Sequence, residues 1–153
     1  MNRIKKAILL LGLVMVCVAS LCGCKGKNLP QVSGPITDLT AVPKLFPSLN
    51  GASDFEAEQL KWGGDDRTGV PGPEHYEYHG YIVLSEEAAA EYRDRYDFVT
   101  PSSTVSVSFE VLSDRGGNWK YSKDFADNIM DKSLTGDVWM DGNTLLFNLQ
   151  TKQ

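Results

Sequence analysis

All three cysteines of this chain lie within its first 24 residues, at positions 17, 22 and 24. The remainder, from Lys25 to Gln153, has no thiol that could form a disulfide or a thiolate metal site. It must therefore be stabilised by a hydrophobic core, and a chain of about 130 residues is long enough to build one.

The first 24 residues have the pattern of a secretion signal. Arg3, Lys5 and Lys6 precede a stretch from Ala7 to Cys24 that carries no charge. A basic start, an apolar run and a small residue before a cleavage site are typical of a signal peptide. The 18 uncharged residues also lie at the lower limit of a membrane span, so an uncleaved helix is the alternative.

The end of this stretch, Leu21-Cys22-Gly23-Cys24, resembles the lipobox of bacterial lipoproteins. The resemblance implies that Cys24 receives a diacylglyceryl group and that residues 1–23 are removed as the signal peptide. Cys22 departs from the family's pattern, in which Ala, Ser, Thr or Val is commoner. The acyl chains would then anchor the protein to the cell membrane on its extracytoplasmic side. The rest of the chain resembles small bacterial lipoproteins of no assigned activity.

The rest of the chain is acidic. Removal of residues 1–23 takes three of the 15 basic residues and none of the 20 acidic ones, which leaves a net charge of −8. A chain with this balance lacks the basic surface that nucleic-acid binding requires. Anionic lipid headgroups should also repel it, so the lipid on Cys24 would be its attachment to the membrane.

Four prolines, at positions 30, 35, 43 and 47, interrupt the segment before Asp54. We assign residues 24–53 to the lipidated Cys24 and a Pro-rich tether, and residues 54–153 to a small globular domain. The second half of the tether contains four apolar residues that a spacer does not need: Val42, Leu45, Phe46 and Leu49. We therefore expect this half to lie against the domain.

The segment from Asp54 to Trp62 permits two interpretations. Asp54 could cap a short helix of good helix formers that ends at Gly63. We favour this helix and keep a strand as the alternative. The Gly- and Pro-rich residues 63–73 are predicted to form a loop.

Two stretches have the alternation of strands. Residues 76–84 are rich in aromatic and β-branched residues. One face of this strand carries Tyr76, Tyr78, Ile82 and Leu84, and the other carries His75, Glu77, His79 and Tyr81. Residues 104–111 alternate between apolar and polar side chains, which is typical of a strand with one wet face.

Two helices and a hairpin complete the prediction. Ser85 caps the first helix, and the second runs from Ser122 to Lys132. Their expected buried residues are Ala88, Tyr92 and Tyr96 in the first and Phe125, Ile129 and Met130 in the second. Residues 138–140 and 144–149 form a hairpin, whose two-residue turn, on Asp141-Gly142 or Gly142-Asn143, keeps the apolar side chains together. The sequence therefore predicts an α+β fold, with about two helices packed on one face of a mostly antiparallel sheet.

The only histidines, His75 and His79, flank Glu77. On a strand, residues four apart lie about 13 Å from each other, so both histidines cannot bind one metal ion. Glu77 with His79 would need further ligands from a neighbouring strand. We therefore predict no metal site and no cofactor. The sequence also has no nucleophile elbow, zinc-protease motif or phosphate-binding loop, and we do not expect an enzyme.

The polar face of the sheet is the candidate binding surface. If the strands at 76–84 and 104–111 are neighbours, it carries Glu77, His79, Tyr81, Ser106, Ser108 and Glu110. With the loop at 63–73, this surface favours a module that binds an envelope protein or a cell-wall component. Trp139 points away from the apolar face and is either exposed or covered by the tether. The alternatives are a small envelope hydrolase that uses His79 with a carboxylate, and a purely structural envelope protein.

Overall fold

The computed structural model describes residues 30–63, 74–106 and 118–152. These ranges contain the strands β1 (Gln31–Val32), β2 (Ala52–Trp62), β3 (His75–Leu84), β4 (Lys120–Tyr121), β5 (Leu134–Asp141) and β6 (Thr144–Thr151). They also contain the helices α1 (Val42–Leu45), which follows a 3₁₀ turn at Leu39–Ala41, α2 (Glu86–Arg95) and α3 (Lys123–Ile129). No helix in the described ranges is long and apolar enough to cross a membrane.

All six strands belong to one sheet, in the order β1-β2-β3-β6-β5-β4, and every neighbouring pair is antiparallel. The three helices bury their apolar side chains against one face of this sheet. The largest fully buried side chains of this core include Phe46, Phe55, Ile82, Phe125 and Phe147. The fold is therefore α+β with helices on one face, as the sequence predicts.

Residues 52–62 form strand β2, so the helix that we favoured for this segment is wrong. β2 pairs with β3 along its whole length, which satisfies its backbone groups on that side. Phe55 and Ala57 are buried in the core, whereas Glu56 and Glu58 point to the opposite face. This period of two fits a strand, and the pairing outweighs the helix propensity of the Glu, Gln and Lys residues.

Residues 31–53, which we assigned to the tether from the sequence, are part of the folded unit. β1 pairs with β2, and Ile36 exchanges backbone hydrogen bonds with Ala57 at 2.7 and 3.0 Å. Four apolar side chains of this segment are only 0–8% exposed and belong to the core: Val42, Leu45, Phe46 and Leu49. We expected this half of the segment to lie against the domain, and it lies within its core.

Helices α2 and α3 begin where the sequence predicts. Ser85 Oγ accepts a hydrogen bond from Ala88 N at 3.2 Å, and two glutamates occupy the first turn, where the helix dipole favours negative charge. α3 ends at Ile129 and not at the predicted Lys132, because the next residue has an extended backbone. Of the expected buried residues, Tyr92, Phe125 and Ile129 are buried, and Ala88, Tyr96 and Met130 are partly buried against the core.

Strands β5 and β6 form the predicted hairpin. Asp141 pairs with Thr144, so the two-residue turn is Gly142-Asn143, and Gly142 has a φ of 59°. Such turns need positive φ, which glycine adopts without strain. Six apolar residues of the hairpin share the core face: Leu134, Val138, Met140, Leu145, Phe147 and Leu149.

Candidate functional site

The sheet face opposite the helices, which we call the second face, carries the alternate residues of each strand. The strand register places on it Glu56, Glu58 and Trp62 from β2, His75, Glu77, His79 and Tyr81 from β3, Leu146 and Asn148 from β6, and Asp137 and Trp139 from β5. The described strands place no Lys or Arg on this face. The second face is therefore acidic and rich in aromatic and imidazole rings.

A second, smaller apolar cluster lies on this face. Its buried members are Tyr81, Trp119 and Leu146, which are 3–5% exposed. Val105 and Trp139 are partly buried and pack against them. Trp119 precedes β4, and Val105 lies between α2 and β4. Residues outside the strands therefore cover the middle of the second face. Trp139, which we expected to be exposed or covered by the tether, packs against this cluster.

Two adjoining recesses open where the chain crosses the second face. Their volumes are about 160 Å³ and about 310 Å³. Ser103, Thr104 and Val105 line both recesses, so we treat them as one crevice. The other lining residues are His79, Ser106, Trp139, Leu146, Phe147 and Asn148 in the first recess and Thr100, Pro101, Ser102 and Trp119 in the second. Among these lining residues there is no Lys, Arg, Asp or Glu.

Two residues of the crevice have a buried nitrogen atom without a hydrogen-bond partner among the described residues. These atoms are Nε1 of Trp119 and Nε2 of His79. A third such atom, Nε1 of Trp62, belongs to a residue that does not line the crevice. Buried polar groups are nearly always paired, so an unpaired one calls for a water, an ion or a ligand that completes its bonding.

His75, Glu77 and His79 form a row along β3. The Glu77 carboxylate lies between the imidazoles, with 3.6 Å from Oε1 to His75 Nε2 and 3.6 Å from Oε2 to His79 Nε2. In the described part of the chain, no three or more His, Cys, Asp or Glu side chains are arranged to hold a metal ion. The row therefore places both imidazole rings beside one carboxylate.

The predicted binding residues of β3 lie on the expected face. Glu77, His79 and Tyr81 point to the second face, as the period of two requires. Tyr81 is buried, so it supports this surface from below and does not form part of it. Ser106 lines the crevice together with His79.

The binding surface was drawn for the case that residues 104–111 form a strand beside β3, and the structure does not place them there. β3 has β2 on one side and β6 on the other, and residues 104–106 form no strand. Ser106 therefore reaches the neighbourhood of His79 by crossing over the sheet, and not as a strand beside it. Ser108, Glu110, the predicted lipid attachment site Cys24 and residues 64–73 of the predicted loop lie outside the described residues.

Several lining residues were not predicted as binding residues. Asn148 could have been placed on the second face from the alternation of β6, in which it lies between the apolar Phe147 and Leu149. Ser103 and Trp119 carry no such signal, because only the path of the chain over the sheet brings them to the crevice.

The hydroxyl group of Tyr81 is held beneath the second face and donates a hydrogen bond to Glu56 Oε2 at 3.1 Å. Burial raises the pKa of Tyr81 to about 12. Glu56 contributes by accepting this hydrogen bond and by its negative charge, to which Asp54 adds. Each effect disfavours a tyrosinate at this position.

We expect Tyr81 to make the free energy of unfolding fall between about pH 10 and pH 12. The unfolded chain releases this proton near pH 10 and the folded protein at about pH 12. The contribution, on the order of 2 kcal/mol, is fully present below pH 10 and is lost as the pH rises to 12. Tyr81→Phe has no hydroxyl to ionise, so the stability difference between the two proteins should change over this range in urea unfolding. A difference that stays constant would contradict the prediction.

No protein-family model matches this chain, and no curated protein or solved structure matches it. The class of the molecule is therefore defined by its own fold and site. It is an α+β domain with a six-stranded antiparallel sheet in the described ranges, and a polar, aromatic crevice lies on the face opposite the helices.

Proposed function

We propose that this chain is the precursor of a lipid-anchored binding module, which works outside the cytoplasmic membrane and binds its partner at the crevice on the second face. The anchor is supported by the resemblance of Leu21-Cys22-Gly23-Cys24 to a lipobox. The acidic balance of the rest of the chain supports it as well, since such a chain would not attach to anionic membranes by its own charge.

One observation carries the binding role. The crevice contains Trp119 and His79, each with a buried nitrogen that makes no hydrogen bond within the described residues, although Glu77 lies 3.6 Å from that of His79. A buried polar group without a hydrogen bond is unfavourable, so a crevice lined by two such residues is suited to a ligand that supplies the missing partners. The remaining lining is neutral and partly apolar, as in most sites for small ligands.

Site-specific photo-cross-linking on intact cells tests this proposal. A benzophenone-bearing residue is introduced at Ser106 in the crevice and, as a matched control, at Glu91, which is exposed on α2. We expect a covalent adduct from position 106 that position 91 does not give, and we expect Cys24→Ala to weaken it by releasing the protein from the membrane. Equal products from both positions would contradict a site at the crevice. No product from either would favour a purely structural protein.

Hydrolysis is the second candidate function, and one observation favours it. The Glu77 carboxylate lies 3.6 Å from His79, and Ser103 and Ser106 line the same recess. A carboxylate, an imidazole and a hydroxyl are the groups that activate a serine nucleophile. In the described ranges, however, no hydroxyl group is hydrogen-bonded to His79. Release of fragments from cell-wall material by the protein, and not by His79→Gln, would establish this function.

A further inference from the structure

We infer that the crevice binds a neutral saccharide. This inference rests on the proposed function, because it names the chemical class of the ligand for the same site. Three features carry it: the side chains that line the crevice, the indole N–H of one lining residue, which makes no hydrogen bond within the described residues, and the carboxylates next to other lining residues.

The crevice is lined by groups that complement a sugar without carrying charge. The hydroxyls of Ser102, Ser103 and Thr104 can each donate and accept hydrogen bonds, and the amide of Asn148 does both. Sugar hydroxyls have the same double role. Trp139 adds an aromatic ring, whose apolar surface suits the C–H groups of a pyranose.

Trp119 supplies the sharpest constraint on the ligand. It lines the larger recess, it is only 3% exposed, and its Nε1 has no acceptor among the described residues. An indole N–H can only donate, so a ligand that pairs with it must present an acceptor oxygen. Thr100 in the same recess, unlike Trp119, already has a hydrogen-bond partner, since its Oγ1 accepts a hydrogen bond from Lys120 Nζ at 2.7 Å. A ring or hydroxyl oxygen of a sugar is an acceptor of the required kind.

Carboxylates lie around the crevice but do not line it. Glu77 is 3.6 Å from His79, Glu58 pairs with His79 across the sheet, and Asp137 pairs with Asn148. The Lys120 ammonium, 2.7 Å from Thr100 Oγ1, is a positive charge beside the larger recess, but these three carboxylates outnumber it. The balance of charge therefore repels uronic acids and sugar phosphates. A cation would be attracted, but it could not accept the hydrogen bond that the buried indole offers. A neutral ligand meets both conditions.

The size of the crevice limits how much of the ligand is enclosed. The larger recess, about 310 Å³, lies at the lower end of the range of roughly 300–1,000 Å³ for small-molecule sites. It therefore fits one sugar residue, and a longer glycan would continue over the second face towards Trp139 and His79, which line the smaller recess.

The test follows the indole N–H signals in nitrogen-15 NMR spectra of the protein, purified from bacterial membranes in detergent with its anchor in place. The chain has three tryptophans, so Trp62→Phe and Trp139→Phe each remove one signal and assign that of Trp119 by elimination, and the titrations use the parent protein. The probes are glucose, galactose and N-acetylglucosamine, with glucuronate and glucose 6-phosphate as their anionic counterparts.

We expect at least one neutral sugar to shift the Trp119 signal to saturation and to leave that of Trp62 in place. Ser103→Ala removes one lining hydroxyl and should weaken the affinity by about tenfold, which is the upper range for one neutral hydrogen bond. Ser48→Ala, at an exposed position outside the crevice, is the matched control and should bind as the parent protein does.

Two results would overturn the inference. Equal shifts with glucuronate or glucose 6-phosphate would contradict a neutral ligand. No shift with any of the five sugars would contradict a saccharide site altogether. The cross-linking experiment separates this failure from that of the proposed function, since an adduct between position 106 and a protein would leave the binding module standing. If position 106 gives no specific adduct and no sugar shifts the Trp119 signal, both proposals are contradicted.

Discussion

Gly136→Ala should lower the free energy of unfolding by about 3 kcal/mol or more, since backbone strain and a steric clash add together. Gly136 lies in β5 with a φ of 152°, which residues with a Cβ rarely adopt. A Cβ at this position would lie 2.1 Å from the carbonyl oxygen of Asn148 and 2.8 Å from Cα of Leu149. Both are backbone atoms of β6, so they cannot move aside as a side chain would. Urea unfolding followed by tryptophan fluorescence measures the loss.

Gly34→Ala is the matched control for this variant. A Cβ at Gly34 would have no atom within 4 Å, and its φ is not positive. The exchange should therefore change the free energy of unfolding by no more than about 0.5 kcal/mol. Equal effects of the two substitutions would show that the approach of β6 to β5 does not require a glycine.

Gly136 also explains why the sequence predicted β5 too short. The hairpin pattern begins at Val138, whereas the strand begins at Leu134. Glycine and aspartate are rare in strands, so Gly136 and Asp137 look like the end of a turn. Their place in the sheet depends on β6, whose backbone leaves no room for a side chain at Gly136. A single sequence does not contain that contact.

The parts of the fold that were predicted correctly depend on local chemistry. Gly142 sets the hairpin turn, Ser85 bonds the first turn of α2, and the alternation of β3 separates its two faces within ten residues. The prediction for β2 was wrong because its structure depends on a distant part of the chain. Its Glu, Ala, Gln and Lys residues suit a helix, and only the pairing with β3 decides against one.

Of the candidate site, the sequence predicted only the residues that β3 contributes. The period of two put Glu77 and His79 on the right face. The other side of the crevice, formed by residues 100–106 and Trp119, depends on how the chain returns from α2 to β4 across the sheet. No period or motif encodes that path, so the sequence left open which strands lie beside β3, and the structure places β2 and β6 there.

Phe46→Ala should cost about 3–5 kcal/mol of folding free energy, the usual range for a buried phenylalanine. Phe46 is fully buried, and its ring packs edge-on against that of Phe147 at 5.1 Å between centroids. Phe147 in turn stacks on Phe55 at 6.3 Å. Removing the Phe46 ring would leave a cavity against the middle of the sheet, where β2, β3 and β6 meet. Urea unfolding gives the cost directly.

Leu39→Ala is the matched control, because it truncates an exposed apolar residue in the same segment. Leu39 precedes α1 and is 41% exposed, so its truncation should cost about 0.5 kcal/mol. If residues 24–53 were only a tether, both variants would have this small effect. A large difference would mean that the segment around Phe46 is part of the folded unit. The first strand of that unit begins at Gln31, so residues 25–30 lie between it and Cys24. Six residues span at most about 20 Å, so a lipid on Cys24 would hold the domain close to the membrane surface.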